Sequence, residues 1–474
     1  MQSRKAFVFS ETIENKHLLY MTKTKLQESL RDSVVTRWAM LLLVGFVLAA
    51  NYYFYDALSP LKSTLTKEFG FTSTDFGWFV SVYSIPNVFF LMAVLGGIIL
   101  DKLGIRRTGF LFVAFMAFGA LVTAYGASDI YINDGFGYAF MSSFLPGYSP
   151  ELKMMLLGRF LFGLGAETSI VVISKIIVKW FKGKELALAF GVKLGLARTG
   201  SFLAFNLSPV LIESQSGWTL AIWFAAFLVL AALLVFMIYM MFDLKLDKQV
   251  KQEGLLSTTD EFHISDITKL LTNRSFIYVT LLCLTFYSAV FPFLSFSSDF
   301  FLNKFNLSIK ESGFISSMLP IGTMIFTPIF GFFVDKKGKA ASLMIYGSII
   351  LVVVHLTFAF TSLSPYILMV ILGLAFSLVP ASMWPSVAKM VDEKRIGSAY
   401  GLMFSVQNLG LWAFPILAGI VLDRTNPAGT ESLDYTYTMI MFACLGILGL
   451  IFALLLKRED KVSGYDLELP SNSK

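Results

Sequence analysis

Charge is scarce in this chain. Of its 474 residues, 15% are Asp, Glu, Lys or Arg, against about 25% in an ordinary soluble protein. Cysteine is rarer still. Cys283 and Cys444 are the only two, both inside apolar blocks, which argues against a disulfide framework and reads as packing. Of three histidines, only His355 falls within an apolar block. No Ser/His/Asp set, metal-ligand cluster or phosphate-binding glycine loop is visible. An enzyme is therefore not expected, nor a cofactor or a metal site. The first 37 residues are polar and basic and the first apolar run is a full span, so no cleavable leader is expected. In ENKHLL an acid lies four residues before Leu18, the spacing of a vesicular sorting signal, although so loose a pattern arises often by chance.

What the chain has instead is apolar length. It is 56% hydrophobic with 48 Phe, and the apolar residues come in blocks of about 20, the length that crosses about 30 Å of hydrocarbon. The expectation is an all-α membrane protein of twelve transmembrane helices, near 38–58, 76–100, 105–127, 153–177, 185–212, 218–242, 276–300, 311–334, 341–361, 364–388, 396–422 and 434–456. Five parts follow: an N-terminal segment (1–37), a first six-helix bundle (38–242), a charged linker (243–275), a second bundle (276–456) and a tail (457–474).

The net charge of +6 is distributed as an orientation signal, not as a nucleic-acid surface. Arg31, Arg37, Lys102, Arg106, Arg107, Lys179, Lys182 and Lys184 fall at the N-terminus and in alternate loops. Lys336, Lys337, Lys339, Lys394, Arg395, Lys457 and Arg458 continue the pattern. The opposite loops are poor in these residues; 128–152 has none. Both termini are expected to face the cytosol.

The chain repeats itself. GIILDKLGIRR places Gly97, Asp101 and Gly104; GFFVDKKGKA places Gly331, Asp335 and Gly338, 234 residues later. Gly163 with Gly373, and Gly191 with Gly401, are 210 apart. The 24-residue shortfall, 234 less 210, matches the long loop at 128–152 that the second half lacks.

GIILDKLGIRR resembles the signature loop of the major facilitator superfamily. That resemblance implies two pseudo-symmetric six-helix bundles that rock around a midplane site by alternating access. GRFLFGLGAE, WFKGKELALAFG, ARTGS, FPF, WPSVAKMV and GSAYGLMFSVQNLGL together resemble one branch, the major facilitator superfamily domain-containing protein 1 group of lysosomal dipeptide uniporters and their relatives. In that branch an acid and an Arg implicated in dipeptide binding match Glu167 and Arg198.

The residues support this independently. Glu167 lies 12 residues from Lys179, and Arg198 lies 13 from Glu185. At 1.5 Å per residue both are about 18–20 Å from one membrane face, on consecutive antiparallel helices. A charge at that depth costs at least ~2.5–3.5 kcal/mol on insertion scales. Either the two side chains lock two helices together, or they line a wet cavity and hold the amine and carboxylate of a zwitterion. An alternation, paired when empty and split by substrate, is also open. The repeat maps Glu167 onto Ser377 and Arg198 onto Asn408, so the second bundle is expected to supply shape and neutral hydrogen bonds. Its candidates are Trp384, Gln407, Asn408 and Tyr287. Of Gln407 and Asn408 only one is expected to face the cavity, since adjacent residues point about 100° apart. Tyr52 is the cavity candidate in the first span; Tyr55 and Asp56 read as an interfacial belt.

Gly97, Asp101, Gly104, Arg106, Arg107 and Asp335 are the gating candidates, with Asp101 and the basic loop latching the halves in the outward-facing state. Lys175 and Lys193 read as snorkelling lysines. The branch resemblance implies a neutral polar residue at 193, so a Lys facing the cavity there would favour anionic substrates. His355 reads as packing, which leaves uniport or weak proton coupling. The leading function is transport of small peptides. The alternatives are an organic-anion or sugar-phosphate carrier of the same fold and a non-transporting receptor or scaffold. Expected partners are a small zwitterionic solute and lipid, without nucleic acid; the chain is expected to be a monomer, with room for an accessory subunit. A bacterial inner membrane is favoured over a lysosomal one by the compact loops.

Overall fold

A computed structural model of the chain describes residues 30–181, 183–253, 270–392, 395–427, 430 and 432–470. The ENKHLL pattern, Lys182, Lys394 and residues 254–269 of the expected linker lie outside them. The described residues are helical throughout, without a strand. The helices are α1 (Val34–Asp56), α2 (Lys62–Phe69), α3 (Ser73–Ser81), α4 (Ile85–Phe89), α5 (Met92–Gly126), α6 (Asp129–Ile132), α7 (Tyr138–Ser142) and α8 (Pro150–Phe181). There follow α9 (Leu186–Ile212), α10 (Thr219–Glu253), α11 (Arg274–Phe305), α12 (Ile309–Lys337), α13 (Ala340–Phe360), α14 (Pro365–Met390), α15 (Ile396–Thr425) and α16 (Thr436–Ser463).

Among the described residues, eleven helical segments are long and apolar enough to cross a membrane. The twelfth crossing is broken into pieces. The expected second span, 76–100, is built from α3, a 3₁₀ turn at Val82–Ser84, α4 and the start of α5. Leu91 interrupts it in the left-handed region at φ 50°. Straight, the 35 residues of α5 would run about 52 Å, too long for one crossing. The helix instead folds back at Gly104, where φ is 79°, a conformation glycine adopts at no steric penalty. Its repeat partner Gly338 also has positive φ, 71°. The two signature loops thus make the same demand on the backbone. The long loop at 128–152 folds into α6 and α7 around a small core of Tyr131, Met141 and Met154.

Helix α10 runs to Glu253, so the segment from residue 243 begins as a continuation of the sixth span. It brings Asp243 to Arg106 and Lys179, at 2.8 and 2.7 Å. In this structure the charged residues Asp101 and Arg106 of the first signature loop pair within their own half. Arg106 serves α10, and Asp101 pairs with Lys175 of α8 in its own half.

The halves meet on the face opposite the described termini. There Lys62 donates to Asp299 at 2.7 Å with both side chains buried, and Ser59 donates to the Leu294 carbonyl at 3.0 Å. Asp423 accepts from the Ser73 and Thr74 N–H groups at 2.9 and 2.8 Å, capping α3 from the other half. On the terminal face the halves stand apart. A Cβ built at Gly97, Gly191, Gly331 or Gly397 would meet nothing within 4 Å, and Arg107 and Asp335 are exposed.

Candidate substrate site

At mid-depth the two halves enclose a cavity of about 270 Å³, just below the ~300–1,000 Å³ typical of small-molecule sites. The first half lines it with Asn51, Tyr52, Tyr55, Tyr83, Ala93, Glu167, Ile170, Val171, Leu194 and Arg198. The second half contributes Tyr287, Phe291, Trp384, Phe404, Gln407, Asn408 and Leu411. Every binding candidate read from the sequence is on this wall.

Glu167 and Arg198 line the same cavity without forming an ion pair in this structure. Glu167 accepts from Tyr83 Oη at 2.8 Å. Arg198 Nε is buried without a hydrogen-bond partner. Its guanidinium lies 5.6 Å from the Tyr52 ring centroid and 6.0 and 5.8 Å from those of Phe291 and Phe376. Rings attract the cation but satisfy no N–H. The fork is thus held in place with donors left for a planar anion.

The opposite wall is aromatic. Trp384 Nε1 donates to Tyr287 Oη at 3.1 Å and the indole stacks on Phe404 at 4.8 Å. Gln407 and Asn408 both reach the cavity, against the expectation that only one would. Phe404, Gln407, Asn408 and Leu411 are spaced i, i+3, i+4, i+7, so the adjacent pair flanks the centre line of one helical stripe. Asn408 Nδ2 donates to the Phe404 carbonyl at 2.9 Å, leaving its buried Oδ1 unpartnered. Ser377, the repeat partner of Glu167, is buried and bonds the Gly373 carbonyl at 2.8 Å.

Three further differences from the sequence reading stand out. Tyr55 lines the cavity and Asp56 is 7% exposed, so neither belongs to an interfacial belt. Tyr83 escaped notice because the break after α3 carries it inward. Arg159 was overlooked although it lies two turns before Glu167 on the same face of α8. It is fully buried, within 5.8 Å of five ring centroids, and its Nη1 has no partner. His355 packs as expected, with Nδ1 on the Leu351 carbonyl at 2.9 Å and Phe293 and Phe442 beside it. At the terminal face, outside the spans, the Arg37 fork holds the Glu185 carboxyl below the usual carboxylate range, aided by a backbone hydrogen bond.

The family profile of the Major Facilitator Superfamily matches residues 41–415 and 295–472. A mouse protein named lysosomal dipeptide transporter MFSD1 is 31% identical over 442 residues, 91% of this chain and 88% of that protein. The human protein of that name is 30% identical with the same coverage. Among solved structures, the nucleoside transporter NupG superposes with a TM-score of 0.65 at 17% identity, covering 88% of this chain and 99% of that one. With twelve crossings, a repeated signature loop and a cavity between the halves, the chain is an integral membrane transporter of the Major Facilitator Superfamily, in the MFSD1 branch.

Proposed function

We propose that the chain carries dipeptides across its membrane by alternating access, as a uniporter or with weak proton coupling. The observation that supports this most is that Glu167 and Arg198 line one small cavity with opposite charges and form no ion pair with each other. A free peptide offers an ammonium for Glu167 and a carboxylate for the Arg198 fork, and the cavity is large enough for little more. The aromatic wall opposite takes the side chains by apolar contact, which suits a carrier of many peptides. The names of the mouse and human relatives agree. Both termini would face the cytosol.

The test is uptake of radiolabelled Ala-Ala into proteoliposomes by the full chain. Glu167→Gln and Arg198→Lys should each abolish most uptake while the protein stays monodisperse. Wild-type rates in both variants would end the reading. An organic-anion carrier of the same fold predicts a different split, with Arg198 required and Glu167 dispensable.

A further inference from the structure

We infer that Lys193 makes this carrier selective for dipeptides with an acidic side chain, a step that rests on the dipeptide reading above.

Two lysines, Lys175 on α8 and Lys193 on α9, lie between the cavity-lining residues and the terminal face in the run of their helices, and the structure treats them differently. Lys175 is neutralised by Asp101. Lys193 donates to the Ser174 hydroxyl at 2.6 Å, and among the described residues no carboxylate lies within 4.0 Å of its ammonium. Ser174 is seven residues beyond Glu167, two turns along the same face of α8 and about 10 Å nearer the terminal face. Its hydroxyl is also bonded to the Ile170 carbonyl at 2.8 Å. Ile170 lines the cavity, as does Leu194 beside Lys193. The ammonium therefore lies about one turn beyond Ile170 of the cavity wall, toward the terminal face.

Lys175 is answered by Asp101, whereas among the described residues Lys193 has no carboxylate partner. A cation in a membrane helix is unfavourable unless something answers it, and the Ser174 hydroxyl with the Phe190 ring at 5.6 Å answers it less fully than a carboxylate would. A dipeptide with neutral side chains brings two termini that cancel. One with an Asp or Glu side chain brings the extra negative charge that Lys193 lacks. Held between Glu167 and Arg198, such a peptide can turn its side-chain carboxylate toward the terminal face.

The experiment compares initial uptake of Ala-Ala, Ala-Glu and Ala-Lys by wild type, Lys193→Gln and Lys193→Arg in proteoliposomes. Wild type should favour Ala-Glu over Ala-Ala by about tenfold, the size of one charge-assisted hydrogen bond, and should discriminate against Ala-Lys. Lys193→Gln should bring the Ala-Glu to Ala-Ala ratio close to one; Lys193→Arg should keep the preference. A wild-type protein indifferent to the three peptides overturns the inference, as does a wild-type ratio in Lys193→Gln, which would leave Lys193 a snorkelling residue. If Lys193→Gln does not fold, the wild-type ratio decides alone. Transport of none of the three peptides removes the dipeptide reading itself and this inference with it, whereas equal transport removes only the inference.

Discussion

The two walls of the cavity come from halves that share a repeat, yet they are chemically unlike. The first half presents Glu167, Arg198 and three tyrosines, backed by Arg159 in its ring cage. The second presents Tyr287, Phe291, Trp384 and Phe404 with two amides. Where the repeat puts a carboxylate in one half, it puts a buried serine bonded to its own helix in the other. On the dipeptide reading proposed above, the difference assigns motion to the symmetry and recognition to the asymmetry. Each half must rock in the same way, so both keep a glycine with positive φ in the signature loop. Only one half need hold the ends of the solute. The other can then offer rings that fit side chains of many shapes.

The sharpest way to break this contrast is to block the ends of the peptide. N-acetylation should remove the partner of Glu167 and amidation the partner of Arg198. Each should lower competition against Ala-Ala uptake by about a hundredfold, the upper range for a hydrogen bond to a charged group. Glu167→Gln, where residual uptake can be measured, should lose its sensitivity to acetylation and keep its sensitivity to amidation; Arg198→Lys should do the reverse. Equal sensitivity in both variants would show that the first half does not sort the two ends.

This division was partly legible in the sequence. Buried ionic residues stand out against an apolar background, so Glu167 and Arg198 declared themselves, and helix length fixed their common depth. The repeat was visible because glycine and aspartate spacing survives divergence. What escaped notice depends on backbone breaks and distant pairing. Tyr83 turns inward only because the second crossing is broken at Val82–Ser84 and Leu91. Lys62 and Asp299 are 237 residues apart, and no local pattern links them. Arg159 was legible in principle, eight residues before Glu167 on one face, but it stands at the edge of a motif whose acid drew the attention.

A smaller effect should come from the second half. Trp384→Ala removes the indole that stacks on Phe404 and donates to Tyr287. Uptake of Ala-Phe should fall by about tenfold, in line with an aromatic contact and its buried area, while Ala-Ala should fall less. A uniform loss for both peptides would mean that the rings hold the wall together and do not read side chains.

The smallest predicted change concerns how Glu167 is aimed. Tyr83 Oη donates to it at 2.8 Å, from a segment that approaches α8 only because residue 163 is glycine: a Cβ there would come within 2.2 Å of the Tyr83 carbonyl oxygen. Tyr83→Phe removes one hydrogen bond that cavity water can replace, so the apparent KM for Ala-Ala should rise about threefold. Gly163→Ala moves the same tyrosine by a steric route and adds overpacking of about 1–3 kcal/mol. Its KM should rise at least as much, and its melting temperature should fall where that of Tyr83→Phe does not. If Tyr83→Phe transports like wild type while Gly163→Ala fails, the glycine serves helix packing alone and Glu167 needs no help from the broken crossing. If both raise KM, the irregular backbone of the first half is part of its recognition of the amine, and the regular helices of the second half have no counterpart to it.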